Sequence, residues 1–204
     1  GVAKFVEPIK DDLVAALSLE DGDLVMFGVG KYRIACIALG EVRQAVAKDL
    51  ELIPEGLFRG LWVIDFPMFD WNEDAQRWVS EHHPFTAPLE SHIDILESDP
   101  RNCLSSGYDL VINGAELGGG SIRIHNPDVQ ATVFGLLGLS DEEAEDKFGF
   151  LLNALRFGAP PHGGMAFGFD RIVMLLADSN QIRDVIAFPK TTSALSLMDN
   201  SPSP

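Results

Sequence analysis

The sequence predicts an α+β fold arranged around an antiparallel sheet. Two long segments, 31–50 and 140–158, carry apolar residues at helical intervals. Asn113-Gly114 separates two apolar runs and is the strongest short signal for a β-hairpin. A glycine-rich strand at 163–169 leads directly into a helix at 170–178. Together these patterns indicate helices packed with an antiparallel sheet.

Composition places the chain among globular proteins and narrows its partners. Of its 204 residues, 46% are hydrophobic and 23% are charged, which suits one or two domains. The net charge of −16 repels phosphate backbones, so the chain alone is a poor nucleic-acid binder. No stretch approaches the roughly 18 apolar residues of a membrane span, and no signal peptide is visible. Cys36 and Cys103 lie far apart, in no metal-binding spacing and in no framework of cysteine partners, which suits a reducing cytosol. From these observations together we expect a cytoplasmic protein with no membrane partner.

The first 57 residues are predicted to form a small α+β module. A helix is expected at 10–17, a hydrophobic strand at 23–30 and a second helix at 31–50. The character of the sequence changes near residue 57, where we place a domain boundary.

The second part of the chain opens with a strand of the buried type at 61–69, closed by Pro67. An acidic connection then leads to His82 and His83. Adjacent residues of a strand point to opposite faces, so at most one of these histidines is expected to face a site. Pro84 favours an extended backbone here. A surface-exposed histidine pair remains the alternative.

The hairpin brings two carboxylates together. A two-residue type I′ turn pairs residue 112 with 115 and 111 with 116. Asp109 then shares a face with residue 111 and lies diagonally from Glu116. Carboxylates this close repel each other unless a cation lies between them, and oxygen-only clusters suit Mg²⁺. The alternative is two solvated carboxylates on an open face.

Gly118–Gly120 suggest a bulge in the second strand, or a ligand lying directly on the backbone, with a flexible loop as the alternative. Arg123 follows Glu116 by seven positions, so simple alternation puts them on opposite faces. One bulged residue among the glycines brings both onto one face. We therefore predict that Asp109, Glu116 and Arg123 share a cavity, with an irregularity between Leu117 and Ser121.

Two helices follow this strand, each with a recognisable start. Asn126 is the predicted N-cap of a helix at 126–139, with proline in its first turn. Ser140 and Glu143 form a capping-box pattern for the next helix, which closes on Gly158. The predicted buried stripe of that helix is Phe148, Leu151, Leu152 and Leu155.

Arg171 lies at the junction of the strand at 163–169 and the helix at 170–178. Such an arginine can simply pair with Asp170 or cap a turn. The small residues beside it instead leave space next to a planar, permanently charged fork that matches phosphate geometry. The helix residues predicted to face the core are Ile172, Leu175 and Leu176.

Residues 162–176, HGGMAFGFDRIVMLL, resemble motif 3 of the class II aminoacyl-tRNA synthetases. HHPFT at 82–86 and ELGGGSIRIH at 116–125 narrow the resemblance to the bacterial type of aspartyl-tRNA synthetase. It runs from about residue 61 to about residue 198. The resemblance implies the antiparallel-sheet catalytic core of class II synthetases, here incomplete. It also implies that L-aspartate reacts with ATP to form aspartyl-adenylate and is then attached to tRNA.

The resemblance implies an ATP site on the sheet. Arg171 and Glu116 are the implied catalytic residues, and Asp109 with Glu116 is the implied ligand pair for Mg²⁺. The implied ATP-binding residues are Glu116, Gly168, Phe169, Asp170 and Arg171, mainly through the backbone at positions 168–170.

The resemblance also implies an aspartate pocket and two macromolecular partners. Arg123 would hold the substrate carboxylate in a bidentate fork, and His82 would line the amino-acid pocket. The implied partners are tRNA, contacted mainly by regions not found in this sequence, and a second subunit in a homodimer.

Residues 1–57 resemble the C-terminal half of the α+β domain inserted in the bacterial type, and 58–204 the C-terminal part of the catalytic domain. Motif 1, motif 2 and an anticodon-binding barrel are not found. We therefore expect the C-terminal part of a larger chain, inactive alone. A non-catalytic paralogue or interaction module is the alternative, against which the intact charged residues weigh. A synthetase for asparagine or lysine is a weaker rival, disfavoured by GGGSIRIH.

Overall fold

The computed structural model describes residues 3–191, 193–196, 198 and 201. It divides the chain into two compact units, Gly1–Leu57 and Phe58–Pro204. Residues 192 and 197, in the C-terminal part of the family-like sequence, lie outside the described residues. Among the described residues, no helix combines the length and apolarity that crossing a membrane requires.

The first unit is helical. Its helices are α1 (Ala3–Val6), α2 (Lys10–Leu17) and α3 (Tyr32–Asp49), with a 3₁₀ turn at Glu7–Ile9. The helices α2 and α3 confirm the two predicted for this region. No residue described between positions 4 and 57 is buried, so this unit has no closed core of its own.

The strand predicted at 23–30 is wrong, because these residues are irregular. A strand needs a hydrogen-bonding partner, and the described part of this unit contains no strand. Val29, near the end of the run, is 92% exposed. Hydrophobicity without a neighbouring strand was therefore not enough to form one.

The described part of the second unit contains six strands. They are β1 (Gly60–Ile64), β2 (Phe69–Asn72), β3 (Arg77–Ser80), β4 (Gly107–Ile112), β5 (Ala115–Ile122) and β6 (Gly163–Phe167). Four of them form an antiparallel sheet in the order β1-β4-β5-β6, while β2 and β3 pair separately. This confirms the predicted α+β class.

The segment expected to form one buried strand at 61–69 is divided and partly exposed. The strand β1 ends at Ile64, and β2 begins at Phe69. Leu61 and Trp62 are more than half exposed, at 55% and 56%. The reason is position, since β1 is an edge strand with a neighbour on one side only.

The core of this unit lies where β2 and the segment between β3 and β4 meet α4 (Pro127–Leu136). Its buried residues are Met68, Phe69, Leu96, Cys103, Ile124, Val133 and Leu137. The other helices are α5 (Asp141–Arg156) and α6 (Phe169–Leu176), with 3₁₀ turns at Glu90–Ile95, Pro100–Asn102 and Ile182–Asp184.

The helix starts agree with prediction. The Asn126 side chain accepts from the backbone N–H of Asp128, and Ser140 with Glu143 forms a complete capping box. The predicted stripe of α5 is buried at Leu155 and half-buried at its other members. On α6 the prediction fails at Leu176, the last residue of the helix, which is 70% exposed.

Candidate active site

The strands β4 and β5 meet in the predicted hairpin. Asn113 and Gly114 have φ angles of 52° and 81°, the left-handed values that a type I′ turn requires at both positions. The residue pairs next to the turn are those predicted, 112 with 115 and 111 with 116.

A β-bulge follows in β5. Leu110 pairs with Gly118, whereas the next residue on β4, Val111, pairs with Glu116, so Leu117 is an extra residue. The predicted irregularity therefore exists, but the bulged residue is Leu117 rather than a glycine. The glycines pair regularly with both neighbouring strands, which excludes a flexible loop there.

The bulge places the charged side chains on one side of the sheet. Asp109, Glu116 and Arg123 line a single cavity of about 580 Å³, as predicted. We call this the polar cavity. The other residues that line it are His82, His83, Thr86, Leu117, Gly118, Gly119, Gly120, Ser121, Ala166, Phe167, Gly168 and Arg171. Two members of the predicted ATP-binding set, Phe169 and Asp170, are not among them.

All three glycines, Gly118 to Gly120, allow close approach, and the contacts are tightest at Gly119 and Gly120. An ideal Cβ on Gly119 would overlap the carboxylate of Asp109, so that side chain lies across the bare backbone. A Cβ on Gly120 would overlap the carbonyl oxygen of Gly164 and lie 2.8 Å from the Tyr108 ring. The Tyr108 hydroxyl also donates to the Gly164 carbonyl at 3.0 Å, across the strand between them.

Arg171 connects α6 to the bulge. Its Nη1 donates to the backbone carbonyl of Glu116 at 2.8 Å and lies 3.8 Å from Glu116 Oε2. The backbone N–H of Gly168, at the start of α6, donates to the Leu117 carbonyl at 2.8 Å. These contacts take the place of the alternative considered for Arg171, a pairing with Asp170. About half of each charged side chain, 49% for Arg171 and 54% for Glu116, stays exposed, so the ion pair is open to ligands.

Both histidines line the polar cavity, so the expectation that only one would face a site is wrong. The strand β3 ends at Ser80, and the strict alternation assumed for the pair does not apply beyond it. The ring of His82 packs edge-on against Phe66, with centroids 4.7 Å apart. The ring of His83 contacts Arg123 instead.

Arg123 is held by backbone on two sides. The backbone N–H of Arg123 donates to the His162 carbonyl at 2.9 Å, and the backbone of Arg123 also forms an isolated antiparallel β-bridge with Thr86. The pKa of His83 is lowered by burial first, and then by the positive charge of Arg123 and by His82.

The donor set of the polar cavity bears on metal binding. Asp109 and Glu116 supply carboxylate oxygens, which Mg²⁺ prefers. No group of three or more His, Cys, Asp and Glu side chains in the described part of the chain could hold a metal ion. Since Mg²⁺ is commonly bound by one or two carboxylates together with substrate phosphates, the pair fits an ion that arrives with a nucleotide.

Three polar residues of the cavity were absent from the predicted site, namely His83, Thr86 and Ser121. Thr86 and Ser121 are buried, with 2% and 3% exposure, and their hydroxyls lie 3.4 Å apart. The sequence signal that could have found Thr86 was Pro84, because it favours an extended backbone, and the chain that follows it lies beside the end of β5. The Ala87 N–H donates to the Ile122 carbonyl there, at 2.9 Å.

Known proteins resemble this chain over nearly all of its length. It is 53% identical over 203 residues to an aspartate–tRNA(Asp/Asn) ligase of Desulfatibacillum aliphaticivorans, and 50% identical over 202 residues to an aspartate–tRNA ligase of Enterococcus faecalis. Each comparison covers 99% of this chain and 34% of the relative. The chain therefore spans about a third of the length of the curated relatives it matches.

Solved structures share the fold. An aspartyl-tRNA synthetase from Entamoeba histolytica matches with a TM-score of 0.50 and 21% identity, over 92% of this chain and 31% of that one. The asparaginyl-tRNA synthetase of the same organism matches with a TM-score of 0.50 and 20% identity, over 94% and 35%. At these identities the likeness concerns the fold alone.

A family-level match extends through both units. Residues 27–192 match the family described as tRNA synthetases class II (D, K and N). Because this match covers most of the sequence, the chain belongs to the class II tRNA synthetases of the D, K and N group.

Proposed function

We propose that this chain forms the aspartate- and ATP-binding part of an aspartate–tRNA ligase, in the C-terminal region of that enzyme. The observation that carries the proposal is the convergence of Asp109, Glu116, Arg123 and Arg171 on the polar cavity. Two guanidinium groups can bind the negative carboxylate of aspartate and the triphosphate of ATP, and two carboxylates can bind the Mg²⁺ that accompanies the triphosphate.

On the aspartate side, Arg123 binds the substrate carboxylate. A guanidinium presents paired donors that match two carboxylate oxygens, whereas an amide cannot accept from both donors equally. The cavity therefore prefers aspartate to asparagine, because the wrong substrate leaves a donor unpaired. His82 lines the amino-acid pocket beside this group.

On the ATP side, Arg171 turns from Glu116 to the nucleotide phosphates, and the backbone at Gly168, Phe169 and Asp170 borders the nucleotide. Asp109 and Glu116 would hold Mg²⁺, which would supply charge neutralisation between the phosphates and the attacking carboxylate. Adenylate formation requires positioning and electrostatic stabilisation rather than a nucleophilic side chain. This is the chemistry that fixed arginines and carboxylates can provide.

The parent synthetase is proposed to be a homodimer that binds tRNA mainly outside this chain. Its relatives include both an aspartate–tRNA ligase and an aspartate–tRNA(Asp/Asn) ligase. Since the chain spans about a third of those relatives, we expect it not to activate aspartate alone.

The test is aspartate-dependent ATP–pyrophosphate exchange by the complete synthetase that contains this chain. Arg123→Lys should raise the KM for aspartate about tenfold or more and leave the KM for ATP nearly unchanged, because one ammonium replaces a bidentate fork. Arg156→Lys, an exposed arginine on α5, is the matched control. An unchanged KM for aspartate in the Arg123 variant would refute the assignment. Absence of exchange in the wild-type protein would favour the non-catalytic alternative.

A further inference from the structure

The guanidinium of Arg123 has a histidine as its side-chain neighbour. Its Nη1 lies 3.0 Å from His83 Nδ1 and also contacts Nε2 of the same ring. Both residues are half-buried and line the polar cavity. The orientation of Arg123 therefore depends on what the imidazole offers.

The imidazole offers an acceptor. Arg123 Nη1 contacts both ring nitrogens and lies nearer to Nε2, while the Phe85 backbone N–H lies 3.2 Å from Nδ1. A guanidinium has no acceptor, so the ring nitrogen that faces it carries no proton. The Thr86 hydroxyl lies 3.4 Å from Nδ1 and 3.5 Å from Nε2, and it can accept the proton that the other ring nitrogen carries. The lowered pKa of His83 agrees with a neutral ring.

The ring stands on a fixed segment of backbone. The Thr86 N–H donates to the His83 carbonyl at 3.2 Å, and the Gln130 amide donates to the Pro84 carbonyl at 2.8 Å. Gln130 is completely buried in α4. This anchoring means that His83 can hold another side chain in place rather than follow its movements.

We propose that His83 is a positioning residue for Arg123, and that its neutral imidazole fixes the guanidinium in the orientation that binds the substrate carboxylate. The role rests on the proposed aspartate activation. It also makes the capture of aspartate sensitive to the charge of His83, since a protonated ring would repel the guanidinium. The charged and titratable groups that line the same cavity are His82, Asp109, Glu116, Arg123 and Arg171.

The kinetic test compares two substitutions in the complete synthetase. His83→Leu removes the acceptor and should raise the KM for aspartate about ten- to a hundredfold, with the KM for ATP changed less than about twofold. His83→Asn keeps an amide oxygen near the place of Nδ1 and should recover most of that loss. His125→Leu, at an exposed histidine outside the polar cavity, is the control. Equal defects in the Leu and Asn variants, or equal increases in both KM values, would overturn the proposal.

A double-mutant comparison isolates the pair. In an Arg123→Lys background, His83→Leu should add less than about a twofold increase in the KM for aspartate, because its partner is already gone. Independent, multiplicative effects of the two substitutions would mean that His83 does not act through Arg123.

An NMR titration of the histidine ring in this chain separates failure of this proposal from failure of the proposed function. Arg123→Gln should raise the pKa of His83 by removing the adjacent positive charge, whether or not the protein binds aspartate. An unchanged His83 titration would overturn the contact. If the pKa rises but wild-type synthetase shows no aspartate-dependent exchange, the contact stands and the positioning role fails with the proposed function.

Discussion

Two adjacent glycines of β5 should respond differently to the same substitution. An alanine at Gly120 places its methyl carbon against the Gly164 carbonyl oxygen, which belongs to the backbone of β6 and cannot move without shifting the strand. An alanine at Gly119 meets an oxygen of the Asp109 side chain, which can rotate away. Position 120 should therefore cost stability, and position 119 should cost the placement of a carboxylate.

The magnitudes follow from these obstacles. Overpacking against fixed atoms costs about 1–3 kcal/mol, while removing a glycine from the unfolded chain returns about 0.4–1 kcal/mol. Gly120→Ala should lose about 1–2 kcal/mol net, which lowers the Tm of a chain this size by about 2–8 °C. At Gly119, a rotamer cost of about 0.5–1.5 kcal/mol nearly cancels the same gain, so its Tm should stay within about 2 °C.

Thermal and urea unfolding of the three variants Gly119→Ala, Gly120→Ala and Gly164→Ala measures this difference. Gly164 is the control because an added Cβ there meets nothing within 4 Å. If the synthetase assignment holds, Gly119→Ala should also weaken Mg²⁺-dependent activity through Asp109. The reasoning is refuted if the Gly120 variant is as stable as the control, or if the Gly119 variant loses as much stability as the Gly120 variant.

Three further outcomes concern titratable groups. Burial, and secondarily Asp99, raises the pKa of Cys103 to about 11, so a thiol reagent should modify exposed Cys36 in the native chain and Cys103 only after unfolding. The backbone N–H of Ser140 first, and its hydroxyl second, donate hydrogen bonds that lower the pKa of Glu143. Ser140→Ala removes only the hydroxyl, so NMR should show a partial rise of that pKa, and urea unfolding should show a lower free energy of unfolding at every pH, with the larger loss at neutral pH, because the cap on the Glu143 N–H is lost as well. Burial lowers the pKa of His83 in the folded state, so the unfolded state binds a proton at this histidine first as pH falls through about 6.5. The free energy of unfolding of the wild-type chain should therefore drop in this range more than that of His83→Asn, as measured by urea unfolding at several pH values.

The features that were predicted correctly depend on residues close together in the chain. The capping box needs only Ser140 and the residue three positions later, and the hairpin needs only Asn113 and Gly114 between apolar runs. Hydrogen bonds this local are formed whatever the rest of the fold does. Their residue pairs could therefore be predicted without knowing which elements become neighbours.

The failed predictions depend on distant neighbours. The run at 23–30 lacks a partner strand among the residues described for its unit, and β1 is exposed because it lies at the edge of the sheet. His82 and His83 both reach the cavity because the backbone has left the strand before them. No periodicity of the sequence records these facts, since each is decided by what packs alongside.

The bulge could be predicted only in part from the sequence. Because side chains alternate along a strand, Glu116 and Arg123 can share a face only if one extra residue lies between them, but the alternation does not say which residue it is. The structure places it at Leu117, where the carbonyls of residues 116 and 117 accept from Arg171 and from the N–H of Gly168. The junction of β6 and α6 thus stabilises the bulge, and the bulge places Glu116 and Arg123, which carry opposite charges, on one face of the sheet. Arg171 is needed at this junction even in the absence of a nucleotide, for two reasons. Its Nη1 donates to the backbone carbonyl of Glu116 at the bulge, and its positive charge faces the Glu116 carboxylate, which the bulge directs into the polar cavity.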